Sequence, residues 1–158
     1  MKRRLFLKVA VGCAVLGTLA LAEDSGMSQD EMQELLLLHN QARKEFGSQP
    51  LTWSDELAAG AQQWAQHLAG NGLFEHSNGP YGENLAMASD MEQAFGLWYD
   101  ERKLYHPGSV FSMDCAHYTQ VVWHDTKRLG CGKAETPDGM TIWVARYDPP
   151  GNYDGEKP

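Results

Sequence analysis

The chain has 158 residues, 42% of them hydrophobic and 22% charged; this is an ordinary globular composition and excludes a disordered, collagenous or polytopic membrane chain. The formal net charge of -8 sums over two unlike parts: Lys2, Arg3, Arg4 and Lys8 lie in a first segment of 22 residues without a single acid, and the remainder is strongly acidic. A nucleic-acid partner is therefore excluded, because displacing counterions from phosphate backbones needs a basic face.

Met1 to Lys8 is a short basic region, Val9 to Ala22 is apolar, and Ala20-Leu21-Ala22 is a small-x-small cleavage pattern before Glu23. Residues 1–22 are expected to be an export signal removed near Ala22, ahead of a single domain over 23–158. The apolar run is too short for a span of roughly 20 residues, and nothing downstream reaches that length, so no transmembrane segment is expected. Arg3-Arg4-Leu5-Phe6-Leu7-Lys8 resembles the twin-arginine motif, which a receptor reads, with the general secretory route as the alternative. Val11-Gly12-Cys13 invites a lipoprotein reading, but the apolar run continues well past Cys13. A bacterial periplasm or the extracellular space is the expected destination, for a chain expected to be monomeric.

Without the signal two cysteines remain, Cys115 and Cys131. A bridge between them would close a loop of about 15 residues and contribute roughly 3 kcal/mol in the chain-entropy treatment; two free thiols are the alternative. There is no Cys-x-x-Cys pair, which removes a thioredoxin-like redox site and a cysteine zinc knuckle.

Ser28 with Glu31 three residues later is a capping box, and Leu35, Leu38, Ala42 and Phe46 follow at spacings of three and four, predicting a helix to about Gly47. Ser54 with Asp55 and Glu56 opens a second helix with a buried stripe of Leu57, Ala61, Trp64, Ala65 and Leu68, ending at Gly70-Asn71-Gly72. A long loop is expected next, holding Gly79, Pro80 and Gly82. Ser89 with Glu92 reads as a second capping box, and Ala94, Trp98, Glu101 and Tyr105 place an acid on the apolar stripe of a third helix. Leu129 to Ala134 and Met140 to Tyr147 read as two strands joined at Pro137-Asp138-Gly139. Helices first and strands last is an α+β pattern.

No Gly-x-Ser-x-Gly elbow, His-Glu-x-x-His helix, phosphate-binding glycine loop or EF-hand is present. Six ordered segments instead carry a resemblance: His39-Asn40-Gln41-Ala42-Arg43; Leu51 and Trp53 ahead of Leu57-Ala58; His76-Ser77 with Gly82-Glu83-Asn84-Leu85; Trp98-Tyr99-Asp100-Glu101; His117-Tyr118-Thr119-Gln120-Val121-Val122-Trp123; and Tyr147-Asp148-Pro149-Pro150-Gly151-Asn152-Tyr153. Together they resemble the CAP superfamily of cysteine-rich secretory proteins, antigen five and pathogenesis-related proteins, over residues 29 to 153. The resemblance implies a three-layer α-β-α sandwich with a small antiparallel sheet, and a cleft into which His76, Glu83, Glu101 and His117 converge. It also implies that Cys115 and Cys131 occupy family cysteine positions whose usual partners are missing: Ala145-Arg146 stands where the partner of Cys131 would be.

A carboxylate such as Glu101 on an inward stripe needs partners, since an unpaired buried charge is costly. Histidines or a metal would supply them: His76 and His117 as Zn²⁺ ligands, with the carboxylates as further ligands or as acceptors that orient the rings. The alternative is a metal-free polar network that ties loop to helix. Three functions follow from the resemblance. One is a binding module that uses this cleft with Zn²⁺ and an adjacent groove for a lipid or other hydrophobic ligand. The second is a metal-dependent hydrolase or peptidase, with Glu83 as third ligand and Glu101 as general base. The third is an envelope interaction protein with a vestigial cleft. His39 and Arg43 are expected to tie the first helix to a neighbouring loop, and His67, His106 and His124 to lie outside the site.

Overall fold

The computed structural model describes residues 26–158; the expected export signal lies outside them. Helix α1 (Gln29–Phe46) starts at the reciprocal Ser28–Glu31 capping box and stops at Gly47, whose φ of 102° is left-handed. A two-residue strand β1 (Thr52–Trp53) precedes α2 (Asp55–Asn71), capped by Ser54 and ended by the left-handed Gly72. Then come β2 (Gly82–Ala88), α3 (Met91–Asp100), α4 (Ala116–Val122), β3 (Arg128–Glu135) and β4 (Thr141–Asp148). The sheet order is β1-β3-β4-β2, with β1 parallel to β3 and the other pairs antiparallel. The β3–β4 hairpin turns at Gly139, φ 84°, as its turn residues predict.

The sheet divides two cores. Strand alternation sends Trp143, Ala145 and Tyr147 of β4, and Ala86 and Ala88 of β2, toward α1, α3 and α4; Ile142, Val144 and Leu85 face α2. The third layer lies very close. A Cβ added at Gly130 would fall 2.2 Å from the Ala58 backbone nitrogen, and one at Gly132 would fall 2.3 Å from that of Gln62. Glycine at these two positions of β3, together with Ala58, Ala61 and Ala65 on α2, lets helix and strand backbones meet with little between them.

Three expectations need correction. Residues 82–88 form an edge strand rather than a loop, so strands do not simply follow the helices. The third helix is capped by Asp90, whose side chain accepts from the Gln93 amide, one residue after the expected Ser89 cap. It also ends at Asp100, and Glu101–Lys103 is a turn of 3-10 helix, so Glu101 sits just past the α-helical stripe. Helix α4 carried no periodic signal because it is only seven residues long and buried on several sides.

Arg43 holds the helical layer together. It is fully buried, yet pairs with no carboxylate among the described residues. Its Nε donates to the Gln49 carbonyl at 2.6 Å; its terminal nitrogens donate to Val121 (3.0 Å), Trp123 (2.9 Å) and Thr126 (2.9 Å) carbonyls. Ser48 takes the Val122 carbonyl at 2.6 Å. The C-terminal carbonyls of α4, which no intrahelical donor satisfies, thus meet a cation and a hydroxyl from the end of α1. Burial lowers the Arg43 pKa to about 10, which leaves it protonated at neutral pH. Replacing Arg43 with Met strands several buried carbonyls and is expected to cost at least about 3 kcal/mol; urea unfolding measures it, and a loss below about 1 kcal/mol would contradict this role.

Cys115 and Cys131 are both buried free thiols, one at the N-terminus of α4 and the other in the middle of β3. Burial pushes the Cys131 pKa up to about 12 and raises that of Cys115. Neither should react with a thiol reagent in the native protein, and both should after unfolding without reductant. A reductant requirement for labelling would show a bridge instead.

Candidate functional site

The four residues of interest form two histidine–carboxylate pairs. His76 lies in the loop before β2, and Glu83 is the second residue of that strand. Their side chains meet at 3.0 Å, His76 Nδ1 to Glu83 Oε1. Glu83 Oε1 also accepts from the Ser77 amide at 2.9 Å, and Oε2 accepts from Ser77 Oγ at 2.7 Å and from Arg146 Nε at 3.3 Å. Arg146 is there because the β2–β4 register sets it directly across from Glu83. Glu83 is therefore only 6% exposed at its side chain, with all of its roughly four acceptor sites used, while His76 is 57% exposed.

Glu101, in the turn after α3, accepts from His117 Nδ1 at 2.6 Å and from the backbone amides of His117 and Tyr118 at 2.8 and 3.3 Å. A carboxylate thus sits on free amides in the first turn of α4, where its charge is favoured. In both pairs the acceptor-only carboxylate fixes the proton of a neutral imidazole on Nδ1 and leaves the Nε2 lone pair uncommitted. Among the described residues no three His, Cys, Asp or Glu side chains are arranged to hold one ion.

Electrostatics distinguishes the first pair. The hydrogen bond to Glu83, with its charge, raises the His76 pKa against the opposing effect of burial. Burial pushes the Glu83 carboxyl up, but His76, Ser77 and Arg146 outweigh it and hold the pKa below 4.5.

Asn84 joins the two pairs. It follows Glu83 on β2, points to the opposite face, and donates to the His117 carbonyl at 3.0 Å and to Tyr147 Oη at 3.1 Å. Tyr147 in turn lies 2.9 Å from His39 Nε2, and His39 Nδ1 lies 2.8 Å from the Leu35 carbonyl. Because that carbonyl can only accept, Nδ1 of His39 carries the proton and Nε2 accepts from the Tyr147 hydroxyl. Burial lowers the His39 pKa to about 4 and raises that of Tyr147 well above 10, so both stay neutral. A directed chain of hydrogen bonds therefore runs from α1 through β4 and β2 to the first turn of α4.

His39 and Arg43 are thus structural, as their placement on α1 predicts. His67 is exposed and stacks on Trp64 with centroids 4.9 Å apart; Gln62 of the same helix is buried and accepts from the Lys133 amide. His106 and His124 are exposed and join neither pair. Sequence reasoning missed Ser77, Asn84, Arg146 and Tyr147 as members of the network. Ser77, Asn84 and Tyr147 stand in the ordered motif segments, and Arg146 is a charge inside a mainly apolar strand.

The profile of the Cysteine-rich secretory protein family, CAP, matches residues 36–147. The basic form of pathogenesis-related protein 1 from Nicotiana tabacum is 40% identical over 158 aligned positions, covering 97% of this chain and 88% of that protein. Pathogenesis-related protein 1 from Arabidopsis thaliana is 44% identical, covering 83% of this chain and 84% of that protein. Among solved structures, NaASP2 with Zn²⁺ superposes with a TM-score of 0.69 at 26% identity, over 85% of this chain and 87% of that one. MpPR-1i superposes with a TM-score of 0.63 at 27% identity, over 81% and 94%. The matched span runs from the middle of α1 to Tyr147, and so contains both histidine–carboxylate pairs and the chain of hydrogen bonds that joins them: this protein belongs to the cysteine-rich secretory protein, or CAP, family.

Proposed function

We propose that this protein is an exported binding protein that holds a divalent metal, Zn²⁺, on His76 and His117, with Glu83 and Glu101 orienting the rings. The observation that carries this reading is the shared arrangement of the two histidines: each is held at Nδ1 by a carboxylate, the way metal-binding imidazoles are commonly aimed and made more basic. The donor set fits Zn²⁺, which accepts neutral imidazole nitrogen and leaves further positions to water or a ligand. A related fold, NaASP2, has been crystallised with Zn²⁺. When bound, the ion would supply Lewis acidity and an open coordination position for a partner's donor atom. Export is supported by the basic-then-apolar first 22 residues and by membership of a family described as secretory; among the described residues no helix is long and apolar enough to cross a membrane.

Binding is favoured over hydrolysis by the state of the carboxylates. A hydrolase would need Glu83 as a third ligand or Glu101 as a general base on bound water. Glu83 has its acceptor sites filled by His76, Ser77 and Arg146, and Glu101 spends three on His117 and Tyr118.

Zinc binding to the metal-free protein, followed by titration calorimetry, should be saturable, and should be lost in His76→Ala and in His117→Ala. Glu101→Gln should weaken it by about 10- to 100-fold. Equal, negligible zinc uptake by the parent protein and both alanine variants would overturn the reading.

The raised pKa of His76 has its own readout. Glu83 favours the imidazolium, so NMR titration of the metal-free protein should place the His76 midpoint above 6.5, and Glu83→Gln should bring it down. The His76–Glu83 pair then contributes fully to stability between the ordinary values of 4.5 and 6.5. That contribution fades as pH rises through the raised His76 pKa or falls through the lowered Glu83 pKa. An unchanged midpoint in Glu83→Gln would show that the pair does not set it.

A further inference from the structure

A cavity of about 930 Å³ opens where the end of α1, the turn after α3 and the side of α4 meet. Its wall is aromatic. Tyr118 is the hub, with ring centroids 6.2 Å from Phe46, 6.0 Å from Tyr99 and 5.8 Å from Tyr105, and Phe46 and Tyr105 are 5.7 Å apart. Arg102 lies over the Tyr99 ring, 4.0 Å from its centroid. None of these residues belongs to the histidine–carboxylate pairs, although Arg102 and Tyr118 each directly follow a member of the Glu101–His117 pair.

The polar groups of the cavity are unequally committed. The Tyr99 hydroxyl donates to Glu45 Oε2 at 2.6 Å, which occupies both the phenol and the nearest acid. The Tyr105 hydroxyl has the Ser109 carbonyl at 3.4 Å. Tyr118 is only 8% exposed and lines this cavity, but its hydroxyl has no hydrogen-bond partner among the described residues. The ring is covered, but the hydroxyl oxygen is reachable from the cavity and free to donate to whatever occupies it. Lys103 is held by Asp100 at 2.9 Å, whereas Arg102 is 4.0 Å from the same acid, beyond hydrogen-bond length; the groups left able to donate are thus the Tyr118 hydroxyl and the Arg102 guanidinium, set against aromatic faces. An alkyl chain would leave both polar groups unanswered. A quaternary ammonium would meet Arg102 already on the Tyr99 ring. A group with a flat apolar body and an anionic acceptor answers both, through ring–ring contact and charge-assisted hydrogen bonds.

We propose that this tyrosine-lined cavity is a binding site for a planar aromatic carboxylate, its ring against the Phe46–Tyr105–Tyr118 wall and its carboxylate on the Tyr118 hydroxyl and the Arg102 guanidinium. The site is independent of metal binding at His76 and His117 and is tested without metal.

The probe is 1-naphthoate, added to the EDTA-treated exported chain and followed by ligand-observed NMR and calorimetry. Saturable binding is expected. Tyr118→Phe, which keeps the ring, should weaken it by about five- to tenfold at an unchanged melting temperature. Arg102→Gln, at a position whose side chain is 43% exposed, should weaken it by about tenfold or more and reduce its salt dependence. 1-Naphthalenemethanol, the same ring without the charge, should bind far more weakly. The proposal is overturned by absence of saturable naphthoate binding, by equal affinity for the uncharged alcohol, by full affinity in either variant, or by tighter binding of octanoate or choline than of naphthoate.

Discussion

A buried guanidinium that donates to backbone carbonyls shapes the helical side of this protein. Arg43 is surrounded by carbonyls, and three of its four acceptors, Val121, Trp123 and Thr126, lie at the end of α4 or in the turn that leaves it. A short helix has little stability of its own, because few intrahelical bonds offset its unpaired ends. At the C-terminus α4 is held by a cation from α1, and at its N-terminus Glu101 takes the His117 and Tyr118 amides. Both ends are thus matched to the sign of the helix dipole. His117 is positioned in the first turn of a helix that its own seven residues would not sustain.

Further contacts explain why α4 and the C-terminal segment travel together. Gln120 accepts from the Gly151 amide and donates to Thr126, while Thr119 donates to Asn152. Close packing adds to this: a Cβ on Gly151 would fall 2.4 Å from the Trp123 ring. On the far side of the sheet, the Gly130 and Gly132 approach to α2 fixes the other layer by backbone proximity. The edge strand β2 is therefore braced by packed structure on both faces, and it can carry Glu83 on one and Asn84 on the other. The buried Asn84–Tyr147–His39 chain pays for its desolvation with complete hydrogen bonding, leaving no member with an unanswered donor toward the core.

The site shows a division of labour that follows from exposure. Glu83 is covered and saturated, Glu101 is partly covered and accepts three hydrogen bonds, and the imidazoles are more exposed than their carboxylates, with one nitrogen free. Such an arrangement suits orientation of the rings better than direct metal ligation by Glu83, whose acceptor sites are taken by His76, Ser77 and Arg146. The tyrosine-lined cavity beside α4 has a separate chemistry, in which the spare groups are donors rather than acceptors.

Helix α1, helix α2 and the β3–β4 hairpin were legible in the residues because their signals are local: the Ser28–Glu31 box, the Ser54 cap, left-handed glycines at both helix ends and the Pro137-Asp138-Gly139 turn. His76, Glu83, Glu101 and His117 could also be named as candidates, from the ordered motifs around them. Strand β2 was not legible, since three of its seven residues are Gly or Ala and it gains its strand character from pairing with β4. Helix α4 was not, since its ends are satisfied by Arg43 and Glu101 from elsewhere in the chain. The pairing of each histidine with its carboxylate, the Arg146 contact fixed by strand register and the spare hydroxyl of Tyr118 depend on side chains as far as 63 residues apart. Local sequence carries propensities and caps; which polar groups find each other is set by long-range packing, because only the folded chain brings those atoms within hydrogen-bonding distance.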